Sequence, residues 1–450
     1  MKLRLKNIVL IGFAFLSVMI LWQGYNWCVP LLLDDKLTEF FEQMLGHSDF
    51  TTFIIGSVMG LDNFLALFMI PFISKLSDRT HTVIGKRVPF IIVGLPVALL
   101  AFAAIPLFEN GSLLTIAILL LLIIMAMNVY RSPAVALMPD ITPKPLRGRG
   151  NAVINIMGGI GTGLGYIICY IASDNLLNAP RIVPFLSISV IMFICLVIVV
   201  FFVREDRFRK EMLEDVRSYA KKTGTKASVY IGEDDDSEQA PDIDEKSSRK
   251  FRGSLLFLLA SILFYYMSTN AVESFMSLYS RDILGSESHG IEMMAVLAVC
   301  NFAFMLPSAF FAEKIGRNKV MRIGCILMAA GSLTLCFITE FSYWMMVPFG
   351  IFGIGMSLMI TNMYPAIVSY CGRKDYAKFT GYYYTATMLA QAITPMLVGL
   401  VTSKLINSDM RMLMPYACFF MILCAVMQFF VKETNNTENK KIITEENTGE

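Results

Sequence analysis

The sequence predicts an all-α integral membrane protein with twelve transmembrane helices in two six-helix bundles. Three observations support this fold class: 56% of the 450 residues are hydrophobic, only 16% are charged, and the apolar residues fall into long runs separated by polar loops. A helix needs about 20 predominantly apolar residues to cross a bilayer, so twelve helices use about 240 residues. Such a composition argues strongly against a water-soluble enzyme.

Twelve apolar runs are long enough to cross a bilayer. They cover residues 7–33, 51–75, 88–107, 113–138, 150–173, 184–203, 253–281, 290–312, 320–339, 342–370, 379–403 and 412–431. The first run is longer than the apolar core of a cleaved signal peptide, and it contains Trp22, Gln23 and Asn26. We therefore interpret it as a retained first helix.

Lysine and arginine residues indicate the orientation in the membrane, because cytoplasmic loops retain positive charge during insertion. If both termini are cytoplasmic, 32 of the 38 Lys and Arg residues lie in inside segments. We therefore expect a multi-pass protein of the cell membrane with cytoplasmic N- and C-termini. The net charge of +2 provides no basic field for binding nucleic acid.

The longest polar interruption divides the runs six and six. We predict a first bundle over residues 1–203, a cytoplasmic linker over 204–250, a second bundle over 251–431 and a cytoplasmic tail over 432–450. The linker begins with an apolar helical face formed by Phe208, Met212, Val216 and Tyr219. This face among basic residues indicates an amphipathic helix on the inner membrane surface. The acidic remainder, GEDDDSEQAPDIDEKSS, has the composition of a disordered segment.

An internal repeat supports this division. The loop sequence SDRTHTVIGKR precedes the third run and AEKIGRNK precedes the ninth, with Asp78 and Glu313 235 residues apart. In the fourth and tenth runs, NVYRSPA resembles NMYPAIV, and Asn128 and Asn362 are 234 residues apart. Two matches at nearly the same offset indicate a duplicated six-helix unit. Polar residues are frequent in runs 1, 4, 7 and 10 and rare in runs 3, 6, 9 and 12, so we expect two bundles around a central polar path.

The two loop motifs form a candidate conformational latch, which we call the loop latch. Its members are Asp78, Arg79, Gly85, Lys86 and Arg87 in the first copy and Glu313, Lys314, Gly316 and Arg317 in the second. Asp78 stands at the end of the second run, where its carboxylate can pair with a base or a helix N-terminus in one conformation only. Such a contact biases a two-state equilibrium. The alternative is that Lys86 and Arg87 only fix the membrane topology.

Three ionisable residues lie deep within the runs: Asp62 in the second, Arg131 in the fourth and Glu273 in the seventh. A charge at the bilayer centre costs about 2.5–3.5 kcal/mol on insertion scales, so its retention requires a partner or a function. With their polar and aromatic neighbours they form the candidate residues for binding a solute or a cation. This set comprises Trp22, Tyr25, Asn26, Asp62, Asn128, Arg131, Tyr266, Asn270, Glu273 and Asn362.

Glu273 is the strongest of these candidates, because Tyr266 and Asn270 share its helical face at spacings of seven and three residues. The face combines a carboxylate, an amide and a phenol. These groups can bind a hydroxyl-rich solute and exchange a proton or another cation.

Other candidates have structural alternatives. An ion pair that holds helices in register explains Arg131 equally well, and a cap or bridge within one bundle explains Asp62. The aromatic belt at the membrane interface explains Trp22 and Tyr25. The nine cysteines lie mostly within the runs and the three histidines lie in loops, without metal-binding spacing, so we expect no metal and no cofactor.

Over nearly its whole length the chain resembles the major facilitator superfamily. SDRTHTVIGKRVPF is similar to the loop signature of the sugar:cation symporters, the branch of the glycoside-pentoside-hexuronide and sucrose/proton symporters, whereas EKIGRNK has the compact spacing of the superfamily. NVYRSPAVALMPDITP and TNAVES also resemble bacterial members of the sucrose-symporter-like group. The resemblance implies the major facilitator fold and secondary transport by alternating access.

The sequence departs from the melibiose-type symporters on the second helix. Those proteins carry two carboxylates there for the coupling cation, and the matching positions are Ala66 and Ile70. Their carboxylate on the fourth helix falls near Arg131, which reverses the charge. We therefore expect proton coupling through Glu273 or Asp62 rather than sodium coupling.

The sequence thus predicts a proton-coupled secondary transporter of a sugar or glycoside that acts as a monomer. Its expected partners are a small solute, a coupling cation and the lipid bilayer. The alternative is an organic-anion transporter or exchanger of the same fold, which Arg131 favours, and a solute sensor is more distant. The loops offer no clustered catalytic residue types, so we do not expect an enzyme.

Overall fold

A computed structural model describes residues 3–109, 111–173, 176–224, 227–231, 252–338, 340–370 and 376–432. The prediction of twelve membrane-crossing helices is confirmed in this part of the chain. These helices, called spans 1 to 12 in chain order, are Leu5–Leu45, Thr51–Arg79, Val88–Phe108, Leu113–Ile141, Lys144–Ala172, Ile182–Phe202, Gly253–Asp282, Glu287–Ile315, Arg317–Cys336, Tyr343–Val368, Lys378–Val401 and Met410–Phe430. The predicted acidic stretch of the linker and nearly all of the predicted tail lie outside the described residues.

Span 1 is longer than the apolar run that predicts it. One helix of 41 residues continues from Leu5 to Leu45. It does not end at position 33, because none of residues 34–45 is a glycine or a proline. Gly46 has a φ of 74°, and its N–H donates to the carbonyl of Glu42. This left-handed glycine ends the helix.

Spans 1–6 pack together as one bundle and spans 7–12 as a second. Successive spans run in opposite directions, so their ends form two faces. The face with the start of span 1 and the end of span 12 is called the terminal face, and the other is called the opposite face. Contacts between spans 2 and 11, spans 1 and 7, and spans 5 and 8 join the bundles.

Glycines allow spans 2 and 11 to approach closely near the opposite face. Cβ atoms added at Gly56, Gly60 and Gly399 would each lie within 3 Å of a backbone carbonyl of the facing helix, an approach that only glycine permits. The same side of span 11 is open toward the terminal face, where Thr385 is exposed and nothing lies within 4 Å of a Cβ added at Gly381. Spans 2 and 11 therefore touch near the opposite face and diverge toward the terminal face.

Ion pairs join the bundles at the opposite face. Arg281 at the end of span 7 pairs with Asp34 and Asp35 of span 1. Arg181, which precedes span 6, pairs with Asp35 and Glu109. Asp35 is thus shared by an arginine of each bundle. All five side chains are partly exposed, so each pair contributes about 1 kcal/mol or less, and their combined effect holds this face closed.

The linker helix, Glu205–Thr223, packs on the first bundle at the terminal face. Phe208, Met212 and Val216 are buried. The apolar face expected on the membrane surface is therefore covered by protein, because the ends of spans 1 and 4 offer an apolar surface of their own.

Charged contacts anchor the linker helix to the start of span 1. The Arg4 guanidinium donates to Glu211 at 2.9 Å and to Asp215 at 2.8 Å, and the Asn7 amide donates to Glu211 at 3.2 Å. Burial alone would raise the pKa of Glu211, but hydrogen bonds from Arg207 and Asn7 and the charge of Arg4 outweigh it and lower the pKa below its usual range. Glu211 is therefore ionised at neutral pH, as these contacts require.

The close approach of spans 2 and 11 predicts that Gly56→Leu disfavours the state with a closed opposite face. The added side chain would collide with the Pro395 backbone, and overpacking costs about 1–3 kcal/mol. Spin labels at the exposed positions Phe50 and Leu405, beside this contact, should report a longer distance. Gly163→Leu is the matched control, since a Cβ there meets nothing within 4 Å. An unchanged distance in a folded Gly56→Leu protein would contradict the prediction.

Candidate functional site

The first bundle places a polar cluster between spans 1, 2 and 4. The Asn128 amide donates to Asp62 at 3.1 Å and to the carbonyl of Ile124 at 3.0 Å. One carboxylate oxygen of Asp62, the side-chain oxygen of Asn128 and the hydroxyl of Tyr25 are buried without a hydrogen-bond partner among the described residues. Tyr25 is close enough to Asp62 for electrostatic interaction. The cluster therefore retains acceptors and a hydroxyl for a further group.

Arg131 lies beside this cluster. Its guanidinium covers the ring of Trp22 at 4.9 Å from the ring centroid, which is a cation–π contact. Asp62 interacts with Arg131 electrostatically, but no carboxylate in the described part of the chain lies within ion-pair distance of the guanidinium. The positive charge is thus available to an anionic group. Asn26 is half-buried on the same span as Trp22.

The second bundle contributes Glu273 from span 7. This residue is only partly buried, and none of the described residues forms a hydrogen bond or an ion pair with it. Asn270, three residues earlier, is 4% exposed, and its side-chain oxygen has no described partner. Tyr166 of span 5, which sequence analysis missed, is close enough to Glu273 for electrostatic interaction. An ionised carboxylate without a partner is costly in a membrane interior, so the position calls for a proton, a cation or a solute group.

A group of tyrosines surrounds Tyr266, and sequence analysis missed the others. The hydroxyls of Tyr266 and Tyr383 are 3.5 Å apart. The ring of Tyr383 contacts those of Tyr364 and Tyr384, with centroid distances of 5.4 and 5.3 Å. These residues come from spans 7, 10 and 11, so only folding brings them together. Their hydroxyls and ring faces suit a solute that carries both polar groups and an apolar face.

Asn362 does not join this group. Its amide donates to Ser308 of span 8 at 3.0 Å and to the carbonyl of Leu358 at 2.9 Å. Asn128 makes the equivalent pair of contacts in the first bundle, one to the second span and one to the carbonyl a turn earlier. Asn362 therefore connects spans 8 and 10 in this conformation.

The first copy of the loop latch centres on Arg87. The guanidinium pairs with Asp78 at 2.5 Å and with Asp140 at 2.9 Å, and it donates to Ser77 at 3.0 Å. Lys86 also pairs with Asp140, at 3.2 Å. Arg87 is buried, so its planar group ties the ends of spans 2, 3 and 4 together inside the first bundle.

The linker adds Glu205, which sequence analysis did not assign to the loop latch. Its carboxylate accepts hydrogen bonds from the backbone N–H groups of Arg87 at 2.8 Å and Val88 at 3.2 Å. It therefore caps the positive end of span 3. Gly85 has a φ of 114°, and a Cβ there would collide with Glu205, so glycine is needed for conformation and for space. The linker helix and the first copy of the loop latch are thus joined by direct hydrogen bonds.

The second copy of the motif is arranged differently. Glu313 and Lys314 are exposed and form no ion pair or hydrogen bond with a described residue. Arg317, after Gly316 with its φ of 93°, donates to a backbone carbonyl of span 10 at 3.4 Å. Arg79 of the first copy is also exposed. In this conformation no hydrogen bond or ion pair joins the described residues of the two copies.

Two six-span bundles around a polar centre invite comparison with known transporters. The sequence model of the Major Facilitator Superfamily matches residues 8–305 and, a second time, residues 258–448. The chain belongs to this superfamily. The protein is accordingly a multi-pass membrane transporter with the fold expected from its sequence. No curated protein is significantly similar to it in sequence.

Solved structures share this fold at low sequence identity. The POT family transporter PepTSo superimposes with a TM-score of 0.68 at 12% identity, covering 96% of this chain and 98% of PepTSo. The xylose transporter XylE from E. coli, in a partially occluded inward open conformation, gives 0.67 at 14% identity, with 96% and 100% coverage. A bacterial homologue of the human lysosomal transporter Spinster, inward-facing and occupied, gives 0.68 at 12% identity, with 94% and 96% coverage.

The contacts of Arg87 with three spans predict that Arg87→Ala strongly destabilises the protein. Removing this buried guanidinium leaves Asp78 without its ion-pair partner and Asp140 with Lys86 alone, and loss of hydrogen bonds to a charged group costs about 1.5–3 kcal/mol. Thermal unfolding in detergent should show a clearly lower midpoint. Arg79→Ala removes an exposed arginine from the same loop and should change stability by less than about 0.5 kcal/mol. Equal midpoints for the two variants would contradict this role of Arg87.

Proposed function

We propose that the protein is a proton-coupled symporter of a sugar or glycoside that works by alternating access between its two bundles. The observation that carries this proposal is Glu273, a partly buried carboxylate on span 7 with no partner among the described residues. Protonation removes its charge and lowers the cost of enclosing it when the bundles rearrange. One charge that crosses 100 mV releases about 2.3 kcal/mol, which corresponds to about 50-fold accumulation of a neutral solute.

Polar groups on both bundles support a hydroxyl-rich solute. The first bundle offers the unpartnered oxygens of Asp62 and Asn128, and the second offers Asn270 and the neighbouring hydroxyls of Tyr266 and Tyr383. Sugars combine hydroxyl groups with an apolar ring face, and amide, carboxylate and tyrosine side chains complement both. XylE is a xylose transporter of the same fold, which agrees with this solute class, whereas the similarity to the peptide transporter POT allows other cargo.

The distribution of Lys and Arg supports a cytoplasmic terminal face in the cell membrane. In that orientation the structure corresponds to an inward-open state, because spans 2 and 11 meet at the outer face and diverge toward the cytoplasm. XylE and the Spinster homologue also have inward conformations. Outward opening then requires separation of Arg281 from Asp34 and Asp35 and, on the cytoplasmic side, an approach of the two copies of the loop latch.

The proposal predicts that Glu273→Gln abolishes concentrative uptake but leaves solute exchange intact. Glutamine keeps the size and polarity of the side chain but cannot bind the coupling proton. Alkalinisation of the medium around energy-depleted cells measures coupling as monosaccharides, disaccharides, glycosides and uronic acids are added in turn. Counterflow of a radiolabelled member of this panel in proteoliposomes measures exchange.

Glu340→Gln is the matched control, because it removes an exposed carboxylate between spans 9 and 10 that belongs to neither the candidate site nor the loop latch, and it should leave coupled uptake unchanged. Equal loss of uptake and exchange in Glu273→Gln would contradict the coupling role. Absence of alkalinisation across the whole panel, with the parent protein present in the membrane, would contradict sugar–proton symport.

An organic-anion transporter or exchanger is a second candidate, and Arg131 favours it. The guanidinium stacks on Trp22 and has no carboxylate of the described chain within ion-pair distance. A bound carboxylate would receive two parallel hydrogen bonds from it. Asp62 acts on Arg131 electrostatically but lies beyond ion-pair distance. An anionic solute would therefore meet the positive charge of the Arg131 guanidinium.

This candidate predicts that Arg131→Gln selectively weakens transport of uronic acids. Loss of a charged hydrogen bond costs about 1.5–3 kcal/mol, so KM for a uronic acid should rise about 10- to 100-fold while KM for the matching neutral sugar stays nearly constant. Uptake of paired substrates, such as glucuronic acid and glucose, measures both. A parallel rise for the two members of a pair would contradict anion recognition by Arg131 and indicate a structural role.

A further inference from the structure

A cavity of about 240 Å³ lies at the opposite face of the first bundle, apart from the candidate site described above. Its wall includes Asn178 and Arg181 from the segment between spans 5 and 6, and Asn178 is exposed to solvent. One water molecule in the liquid occupies about 30 Å³, so the cavity has room for several. Water and small molecules therefore reach its inner wall from the opposite face.

Two cysteine side chains meet at this inner wall. Cys28 comes from span 1 and Cys169 from span 5, and both line the cavity. Their Sγ atoms are 3.9 Å apart, which is close to van der Waals contact. The two residues are otherwise buried, with exposed fractions of 9% and 5%. The cavity thus gives solvent access to a pair of neighbouring thiols.

Close packing of spans 1 and 5 holds this pair together. Gly161, Gly165 and Cys169 follow one another at intervals of four residues, so they lie on one face of span 5. A Cβ added at Gly161 would lie 2.6 Å from the carbonyl of Leu16, and one added at Gly165 would lie 2.8 Å from the Gln23 side chain. A disulfide requires Cα atoms about 4.4–6.8 Å apart. Helices reach this separation only when they pack as closely as these two do.

We propose that Cys28 and Cys169 form a reversible disulfide when hydrogen peroxide enters the cavity. The thiolate of one cysteine attacks a peroxide oxygen, so that an S–O bond forms, the O–O bond breaks and a sulfenic acid remains. The thiolate of the other cysteine attacks this sulfur, so that an S–S bond forms and the S–O bond breaks. Each step releases a hydroxide, which takes up one thiol proton and becomes water. Both sulfurs are oxidised, and one peroxide is reduced to two waters.

The disulfide braces the first bundle. It joins two residues that are 141 positions apart in the chain, and a cross-link between distant positions restricts the unfolded chain and so stabilises the folded one. Both cysteines belong to the same bundle, so the bond leaves the two bundles free to move relative to each other. In the orientation proposed above the cavity faces the outside, where disulfides persist. Only this assignment of the compartment rests on the proposed function.

A second cysteine pair provides an internal comparison. The Sγ atoms of Cys325 in span 9 and Cys424 in span 12 are 3.4 Å apart, closer than those of Cys28 and Cys169. Both residues of this second pair are 0% exposed, and neither lines the cavity. Because access through the cavity decides the reaction, peroxide should oxidise the more distant pair and leave the closer pair reduced.

Peptide mapping by mass spectrometry tests the proposal on the full-length protein in detergent. After hydrogen peroxide and alkylation of the remaining thiols, Cys28 and Cys169 should appear in one linked species that dithiothreitol separates. Cys325 and Cys424 should be alkylated as before. The midpoint of thermal unfolding should rise with peroxide and fall back after reduction. A linked Cys325–Cys424 species with Cys28 and Cys169 still alkylated overturns the proposal.

Single substitutions identify the residues that carry the effect. Cys28→Ser and Cys169→Ser each remove one partner of the bond, so peroxide should not raise the unfolding midpoint of either variant. The cysteine that remains should accumulate as a sulfenic acid, which dimedone traps. Cys325→Ser is the matched control and should be stabilised by peroxide as the wild type is. A peroxide-induced rise that persists in Cys28→Ser overturns the proposal, and none of these outcomes depends on uptake of a solute.

Discussion

The structure depends on one constraint: a polar group that faces lipid cannot recover the hydrogen bonds it loses, at a cost of several kcal/mol. The exposed sides of spans 3 and 6 accordingly carry residues such as Val93, Leu100 and Phe193. Polar side chains such as Asp62, Asn128 and Asn362 are instead buried within the bundles. The same constraint divides the polar side chains into those that find a partner within their own bundle and those that do not. Asn362 satisfies its amide within its own bundle, whereas Glu273 finds no such partner among the described residues.

Much of the fold follows from the sequence, because the length and spacing of apolar runs reflect the thickness of the bilayer. All twelve spans were predictable, with ends displaced by a few residues in most cases. Span 1 was the exception, because hydropathy reports where lipid ends and not where a helix ends. Its polar extension remains helical up to Gly46, the first glycine after position 33, whose left-handed φ ends the helix.

The candidate site was less predictable, because single-helix periodicity relates only residues on one span. It relates Tyr266, Asn270 and Glu273 to one face of span 7, but the rotation of each span about its axis is set by packing. The run of three tyrosines at 382–384 was a visible signal for the aromatic group on span 11. Tyr166 and Glu205 had no comparable signal, since their roles arise from contacts with distant segments, including two backbone N–H groups at the start of span 3.

The length of span 1 has a mechanical consequence. At 41 residues the helix is about 60 Å long, roughly twice the thickness of the hydrocarbon core. One end is fastened to the linker helix through Arg4, and Asp34 and Asp35 near the other end hold Arg281 of the second bundle. A rod of this length that tilts by about 10° about one end moves the other end by about 10 Å. Span 1 thus connects the linker helix on one side of the membrane with the ion pairs between the bundles on the other, so a change in the tilt of this helix moves one set of contacts relative to the other.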